Sequence, residues 1–127
     1  MERTLLHAKL HRVRVTRVEL DYEGSVAIDA LLLAAGGIRE YERIEVYNLR
    51  NGERFGTYAL RGEPGSGLIS VNGAAAHKAV VGDLIIVCAF GVFNEREAQE
   101  LKPRLIYVDE RNRIVRSSSA IPMQVAG

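Results

Sequence analysis

The dipeptide Asn51-Gly52 stands between two segments in which apolar and polar residues alternate, and it restricts the fold more than any other feature. The flanking residues 43–49 and 54–60 follow a period of two, which places successive side chains on opposite faces of a β-strand. Asn-Gly favours a type I′ turn, because both central positions of that turn need positive φ. The segment therefore predicts an antiparallel hairpin.

Short strands are predicted along most of the remaining chain. Residues 10–20 alternate around Val13 and Val15, which is typical of a half-buried strand. Residues 84–90 form a continuous apolar run, which indicates a buried strand. The other predicted strands cover residues 26–28, 68–71, 105–108 and 114–115. Many short strands at close intervals predict a single β-barrel.

Two short helices complete the predicted fold. Asp29 can cap a helix over residues 30–35, and the glycine pair that follows would end it. Asn94, with an acidic residue three positions later, is a capping signature for a second helix that Pro103 stops. The sequence contains no linker, repeat or low-complexity tract. We therefore predict one mainly β domain over the whole chain.

The charge and the cysteine count exclude several function classes. Seventeen basic residues oppose sixteen acidic ones, so the formal charge is +1 and gives no electrostatic case for nucleic-acid or membrane binding. Cys88 is the only cysteine and the three histidines are scattered, so neither a disulfide nor a metal site is expected. No segment has the apolar length of a signal peptide or a membrane span, which predicts a cytoplasmic protein.

Three local features contain residue types that could carry chemistry. The first is Gly24-Ser25, between two predicted strands, which taken alone is an ordinary turn. The second is the strand at residues 54–58, where alternation places Arg54 and Tyr58 on one face. The third is the segment 72–77, whose small side chains leave backbone amides open to close approach. Singly, these features indicate no more than a small β-barrel.

Taken together, several segments form a more specific pattern. They are Lys9-Leu10-His11-Arg12-Val13, Tyr22-Glu23-Gly24-Ser25, Asn51-Gly52-Glu53-Arg54-Phe55, Thr57-Tyr58 and Ser70-Val71-Asn72-Gly73-Ala74-Ala75-Ala76-His77. In order and spacing, as far as Asp83, they resemble the pyruvoyl-dependent aspartate decarboxylase family. Ala120-Ile121-Pro122 is similar to the tail of that family. Val26, Tyr47 and Lys78 depart from its pattern, and of these only Tyr47 is expected to help shape the pocket.

The resemblance implies a fold and an assembly. The implied fold is a six-stranded double-psi β-barrel with short helices in a single domain, residues 1–127. The chain would cleave itself between Gly24 and Ser25 into a β-chain, residues 1–24, and an α-chain, residues 25–127. Family members assemble as homotetramers with active sites between neighbouring subunits, and the family allows for an accessory maturation protein as a partner.

Self-cleavage is consistent with the residue types at the bond. Gly24 has no Cβ, so its carbonyl can be held in a strained geometry beside the Ser25 hydroxyl. Attack by Ser25 Oγ converts the peptide bond into an ester, and elimination followed by hydrolysis leaves a pyruvoyl group. The resemblance assigns the Thr57 hydroxyl as the donor to the developing oxyanion. The implied cofactor is thus the pyruvoyl group derived from Ser25, with no metal and no PLP.

For turnover, the resemblance implies decarboxylation of L-aspartate to β-alanine and CO2, which supplies pantothenate biosynthesis. The pyruvoyl group at Ser25 forms a Schiff base with the substrate, and Tyr58 is the implied proton donor. Arg54 has the forked geometry that grips a carboxylate, and we expect it to hold the retained side-chain carboxylate. The implied substrate-binding residues are Lys9, His11, Arg54, Thr57, Asn72, Gly73, Ala74 and Ala75.

Two other functions stay open on the sequence. A non-enzymatic β-barrel adaptor for a peptide or a nucleotide predicts an intact chain with an ordinary turn at Gly24-Ser25. A pyruvoyl decarboxylase for another amino acid predicts comparable rates on aspartate and glutamate. Denaturing mass spectrometry separates the first alternative from the decarboxylase, and parallel assays of the two amino acids separate the second.

Overall fold

The computed structural model describes residues 1–127, which form nine β-strands, two short α-helices and one 3₁₀ helix. The strands are β1 (Arg3–Arg14), β2 (Arg17–Glu19), β3 (Val26–Asp29), β4 (Arg43–Asn48), β5 (Arg54–Gly62), β6 (Ile69–Asn72), β7 (Leu84–Phe93), β8 (Arg104–Val108) and β9 (Ile114–Ser118). The helices are α1 (Ala30–Gly36), the 3₁₀ helix (Gly73–Lys78) and α2 (Glu95–Glu100). The prediction of a mainly β chain with short helices is confirmed.

All nine strands belong to one sheet, in the order β2-β6-β3-β5-β4-β7-β1-β8-β9. The pairs β2–β6, β3–β5 and β1–β8 are parallel, and the others are antiparallel. The expected six-stranded double-psi barrel is not confirmed, because the sheet has nine strands and its edge strands, β2 and β9, do not pair with each other. The sheet is therefore open in its hydrogen bonding.

The connection between β1 and β2 forces this open sheet to curl. The two strands lie six places apart in the sheet, which in a flat sheet would separate them by roughly 29 Å. Only Val15 and Thr16 link them, and such a link spans roughly 11 Å. The link is itself held by the Val15 N–H, which donates to the Asp83 carbonyl at 2.8 Å, and by the Thr16 N–H, which donates to the Ile69 carbonyl at 2.9 Å. The sheet consequently bends round on itself.

The curled sheet encloses one hydrophobic core. A cluster of 19 buried apolar residues draws on seven of the strands, α1 and the connecting segments. Leu10, Ile28, Ile44, Ile69 and Ile85 come from five different strands and are almost completely buried. Each such side chain contributes about 1.5–3 kcal/mol relative to an exposed position. The inward residues of the short strands therefore hold the fold together.

The predicted hairpin is present as β4 and β5, but its turn differs from the prediction. Gly52 has a φ of 74°, whereas Asn51 is not in the left-handed region, so the turn is not type I′. The Asn48 N–H donates to the Glu53 carbonyl at 2.9 Å, which closes a longer loop. The side-chain amide of Asn51 donates to the Lys78 carbonyl at 3.0 Å. A contact with the 3₁₀ helix therefore shapes the turn.

Local signals predicted the helices well and the first strand less well. Asp29 accepts the Leu31 N–H at 2.8 Å at the start of α1, and Asn94 forms the predicted capping box on α2. The single strand predicted over residues 10–20 is wrong, because β1 begins earlier and tertiary hydrogen bonds at Val15 and Thr16 separate it from β2. Neither helix is long or apolar enough to cross a membrane.

Asn112, in the turn between β8 and β9, connects this hairpin by hydrogen bonds to the end of β1 and to the loop before β6. Its amide nitrogen donates to the carbonyls of Arg14 at 2.8 Å and Gly67 at 2.9 Å. Its amide oxygen accepts the Arg14 N–H at 2.8 Å. Asn112 is buried and has a φ of 61°, a conformation that Asn tolerates better than most residues. One side chain thus joins three segments that are distant in the sequence.

We expect Asn112→Gly to lower the free energy of unfolding by about 2 kcal/mol, because buried backbone groups lose their partners. Asn112→Ala should cost about 1 kcal/mol more, because a Cβ is disfavoured at positive φ. Urea denaturation measures both values, and the exposed amide variant Gln99→Ala is the control, with a change within about 0.5 kcal/mol. Wild-type stability in the glycine variant would contradict the role assigned to this side chain.

Candidate active site

The Gly24-Ser25 peptide bond lies immediately before β3, which pairs with β5 on one side and β6 on the other. Gly24 has a φ of 22° and Ser25 a φ of 73°. Left-handed backbone at a residue with a Cβ costs roughly 1–2 kcal/mol, so this segment is strained. The Asn72 N–H donates to the Ser25 carbonyl at 2.9 Å and holds the strained backbone against the end of β6.

The hydroxyl of Ser25 is buried without a hydrogen-bond partner. The residue is 4% exposed, and its Oγ contacts no donor or acceptor at bonding distance. Most buried polar groups in proteins are hydrogen-bonded, and leaving one unpaired costs about 1–3 kcal/mol. An unpaired nucleophilic oxygen beside a strained peptide bond is the arrangement that an attack on that bond requires.

A cavity of about 250 Å³ opens beside this bond. It brings together most of the residues that the sequence predicted for the site, from three separate segments of the chain. Its lining consists of Gly24, Ser25, Phe55, Gly56, Thr57, Asn72, Ala74, Ala75 and Lys78. Thr57 is half-buried and lines the same cavity as Ser25.

Gly73 packs directly on Gly24. A Cβ at Gly73 would lie 2.9 Å from the Gly24 Cα and 3.1 Å from its nitrogen, closer than real side chains approach backbone. Gly73 also has a φ of 64°, which a glycine adopts without strain. The absence of a side chain here therefore lets the 3₁₀ helix begin against the Gly24-Ser25 bond.

Asn72 is oriented by its neighbour in β6. The Ser70 hydroxyl donates to Asn72 Oδ1 at 2.7 Å, and both residues are buried. This bond occupies the amide oxygen and leaves the Nδ2 hydrogens without a partner in the chain. Because Asn72 lines the cavity, its amide can serve as a donor to an anionic oxygen there.

Tyr58 approaches the bond from the other side of β5. Alternation along β5 points Tyr58 away from Thr57, as the sequence predicted. Its hydroxyl nevertheless lies 3.3 Å from the position that a Cβ on Gly24 would occupy. The phenol is therefore in contact distance of the Gly24 backbone, while much of the ring is exposed.

Lys9 and Arg54 are not among the residues that line this cavity. The Arg54 guanidinium stacks over the Tyr47 ring, 4.0 Å from the ring centroid, on the face of the sheet that also carries Lys9. Both cations lie near Cys88, where burial raises the pKa of the thiol and their positive charges oppose that rise. Within one chain, neither residue therefore shares the cavity with Ser25.

His11 lies further along the same sheet, outside the cavity. Its ring packs edge-on against Tyr107 with 5.4 Å between centroids, and Nδ1 is buried without a partner. Burial lowers the pKa of His11 below its usual 6.5, and the charges of Lys9, Arg12 and Arg116 lower it further. Both effects favour the neutral form of the imidazole.

Two further residues, Lys78 and Asp83, belong to the surroundings of the cavity and were not predicted from the sequence. Lys78 lines the cavity, and Asp83 fixes the segment that carries Lys78. The buried Asp83 carboxylate accepts the Val80 N–H at 2.9 Å, Asn48 Nδ2 at 2.9 Å and Arg50 Nε at 2.6 Å. These bonds join the end of the 3₁₀ helix to the β4–β5 turn. The position of Lys78 directly after the predicted segment 72–77 is the signal that could have identified it.

We expect the Asp83 carboxyl to titrate at about pH 2 in the folded protein, because the hydrogen bond from Arg50 lowers its pKa from 3.8. The folded pKa is below the unfolded one, so this stabilisation is present above about pH 3.8 and is lost as the pH falls towards 2. Arg50→Met should raise the pKa, measured by NMR titration, whereas Arg96→Met on the exposed face of α2 should leave it unchanged. An unaltered Asp83 titration in Arg50→Met would refute this account.

Metal-ligating side chains do not cluster anywhere in the chain in groups of three or more His, Cys, Asp or Glu. A surface depression of about 650 Å³ lies between the start of β8 and the end of β9 and contains none of the predicted site residues. The cavity at Ser25 is smaller, but it alone combines a strained bond with an unpaired nucleophile. It is the candidate active site for that reason.

Known proteins resemble this chain along nearly its whole length. The sequence pattern of a family described as aspartate decarboxylase matches residues 1–115. A Nitrosococcus oceani protein named aspartate 1-decarboxylase is 60% identical over 123 residues, 97% of this chain and 98% of that protein. Proteins of the same name from Methylococcus capsulatus and Laribacter hongkongensis are 60% and 58% identical over 126 residues, 99% of this chain and at least 99% of theirs.

Proposed function

Because this chain belongs to the aspartate decarboxylase family, we propose that it converts L-aspartate to β-alanine and CO2. The observation that carries the proposal is the buried, unpaired Ser25 hydroxyl beside the strained Gly24-Ser25 bond. That bond is the site of self-cleavage, and the product at Ser25 is the pyruvoyl group that decarboxylation needs. The β-alanine formed is a building block for pantothenate.

Self-cleavage begins with an acyl shift. Ser25 Oγ attacks the Gly24 carbonyl carbon, and the hydroxyl proton passes to the amide nitrogen as the carbon–nitrogen bond breaks. An ester to Gly24 then replaces the peptide bond. Removal of the Cα proton of residue 25 expels the Gly24 carboxylate and leaves dehydroalanine. Water converts this group to the ketone and releases ammonia.

The residues around the bond favour the first step. Positive φ at Ser25, a residue with a Cβ, raises the energy of the intact segment, which brings the ground state nearer to the transition state. Thr57 and Asn72 line the same cavity, and the Thr57 hydroxyl and the Asn72 amide are the donors that we assign to the developing oxyanion. Gly73 has no side chain, so the backbone that follows Asn72 can lie directly against Gly24.

The site fits a small ketone attached to residue 25. The cavity of about 250 Å³ is walled by Ala74, Ala75 and the neutral side chains of β5, and it leaves room beside residue 25 for a small amino acid. A pyruvoyl group supplies a carbonyl that takes up the substrate amino group and accepts the electrons left by CO2. Tyr58, whose hydroxyl lies beside Gly24, then donates a proton to the substrate carbon.

A complete site requires two copies of the chain. Ser25 and Thr57 face the cavity, whereas Arg54 and Lys9 lie on the other face of the sheet. In the proposed homotetramer, Arg54 of one subunit reaches the cavity of its neighbour and holds the retained side-chain carboxylate. Arg54 does not hold the departing carboxylate, because tight pairing there would stabilise the ground state more than the transition state.

We expect denaturing mass spectrometry of the matured protein to show two fragments, residues 1–24 and 25–127, the larger without a free amino group. Ser25→Ala should stay a single chain of 127 residues and release no CO2 from aspartate, because it has no nucleophile. Ser119→Ala, an exposed serine, is the matched control and should cleave normally. Release of CO2 from aspartate by the Ser25→Ala protein would overturn the proposed function.

We expect Arg54→Ala to lower kcat/KM for aspartate by about 100-fold, the effect of removing one partner of a buried charge pair. The loss should be much smaller for an analogue without the β-carboxylate. Co-expression of Ser25→Ala and Arg54→Ala chains should restore activity that neither variant has alone, because some sites in mixed tetramers combine an intact Ser25 with an intact Arg54. Equal losses on both substrates, or no gain on mixing, would refute this arrangement.

A further inference from the structure

Lys78 is the only charged residue that lines the cavity at Ser25. The other lining residues are glycines, alanines, Phe55 and the neutral polar residues Ser25, Thr57 and Asn72. The lysine is not buried, since 43% of its side chain is exposed. Lys78 is thus the one lining residue that carries a formal charge, and a positive charge there favours a carboxylate as the ligand.

The backbone of Lys78 is held, and only its side chain can move. Its carbonyl accepts the side-chain amides of Asn48 and Asn51, each at 3.0 Å. Asn48 is in turn fixed by the buried carboxylate of Asp83. The β4–β5 turn therefore anchors the last residue of the 3₁₀ helix, and the side chain of Lys78 extends from a fixed point in the cavity wall.

The ammonium of Lys78 is bound to a carboxylate of the same turn. Its Nζ lies 2.8 Å from Glu53 Oε2, and 46% of the Glu53 side chain is exposed. Exposed pairs of this kind contribute little stability, because water competes for both charges. A carboxylate that enters the cavity can consequently replace Glu53 at small cost.

We propose, on the basis of the proposed function, that Lys78 is a substrate-binding residue that exchanges the Glu53 carboxylate for the retained carboxylate of aspartate. Lys78 belongs to the same chain as Ser25, whereas Arg54 is contributed by a neighbour. The retained carboxylate keeps its charge throughout decarboxylation. Contact with it is equally strong in the ground state and the transition state, and changes KM rather than kcat.

Glu53 opposes substrate binding in this arrangement. It competes with aspartate for the ammonium, so removal of its charge frees Lys78 for the substrate. The effect of Glu53 on KM then depends entirely on the presence of Lys78. A general effect of surface charge would not depend on it, which separates the exchange from simple electrostatic attraction.

The test is a double-mutant cycle on the cleaved enzyme, with the pyruvoyl content of each variant measured by mass spectrometry. We expect Lys78→Met to raise KM for aspartate about threefold, the size typical of one exposed charge pair, with kcat unchanged. Glu53→Gln should lower KM about twofold on the same argument. The double variant should have the KM of Lys78→Met, and Lys78→Arg should stay close to the wild type.

Inhibition by succinate, a dicarboxylate without the reacting amine, gives a second readout that does not depend on turnover. Its inhibition constant should follow KM through the four variants. An unchanged KM in Lys78→Met, a clear change in its kcat in either direction, or an equal effect of Glu53→Gln with and without Lys78 would overturn the proposal. These outcomes are distinct from a wild-type enzyme that releases no CO2 from aspartate, which would refute the proposed function itself.

Discussion

The two-residue connection at Val15 and Thr16 is the constraint on which the rest of the structure depends. It joins two strands that lie six places apart in the sheet, and it is too short to cross a flat sheet. The sheet must curl, and curling creates both the enclosed core and the cavity. It also brings β2 to the edge of the sheet beside β6, at whose end the Asn72 N–H donates to the Ser25 carbonyl.

Two features that lower the stability of the fold occur together at the Gly24-Ser25 peptide bond. Positive φ at Ser25 and an unpaired buried hydroxyl each cost roughly 1–3 kcal/mol, and the large apolar core offsets them. The bond is held from two directions, by the Asn72 N–H and by the backbone of Gly73. Strain of this kind persists only where neighbours fix the backbone. In the proposed self-cleavage it is released when the bond breaks.

The residues of β5 that we assign to the site lie on both faces of the strand. Thr57 faces the Ser25 cavity, and Arg54 stacks on Tyr47 on the opposite face, with Tyr58 reaching round to Gly24. Strict alternation along a strand makes this division unavoidable. A site that uses both faces of one strand needs either two chains or a side chain long enough to pass the edge. The proposed tetramer uses the first solution for Arg54, and Tyr58 uses the second.

The sequence by itself determined the mainly β character, the hairpin at Asn51-Gly52 and both helix caps. These features depend on alternation, on turn residues and on short-range capping, which are local properties. The residues expected around the Gly24-Ser25 bond came from the resemblance to a known family, because each motif taken singly indicated no more than a small β-barrel. Only the tertiary structure decided the nine-strand order, the turn geometry and the separation of Arg54 from the cavity. It also decided that Lys78 lines the cavity. Each of these depends on contacts between segments distant in the chain, such as the bond from Asn51 to Lys78, and such contacts leave no local pattern.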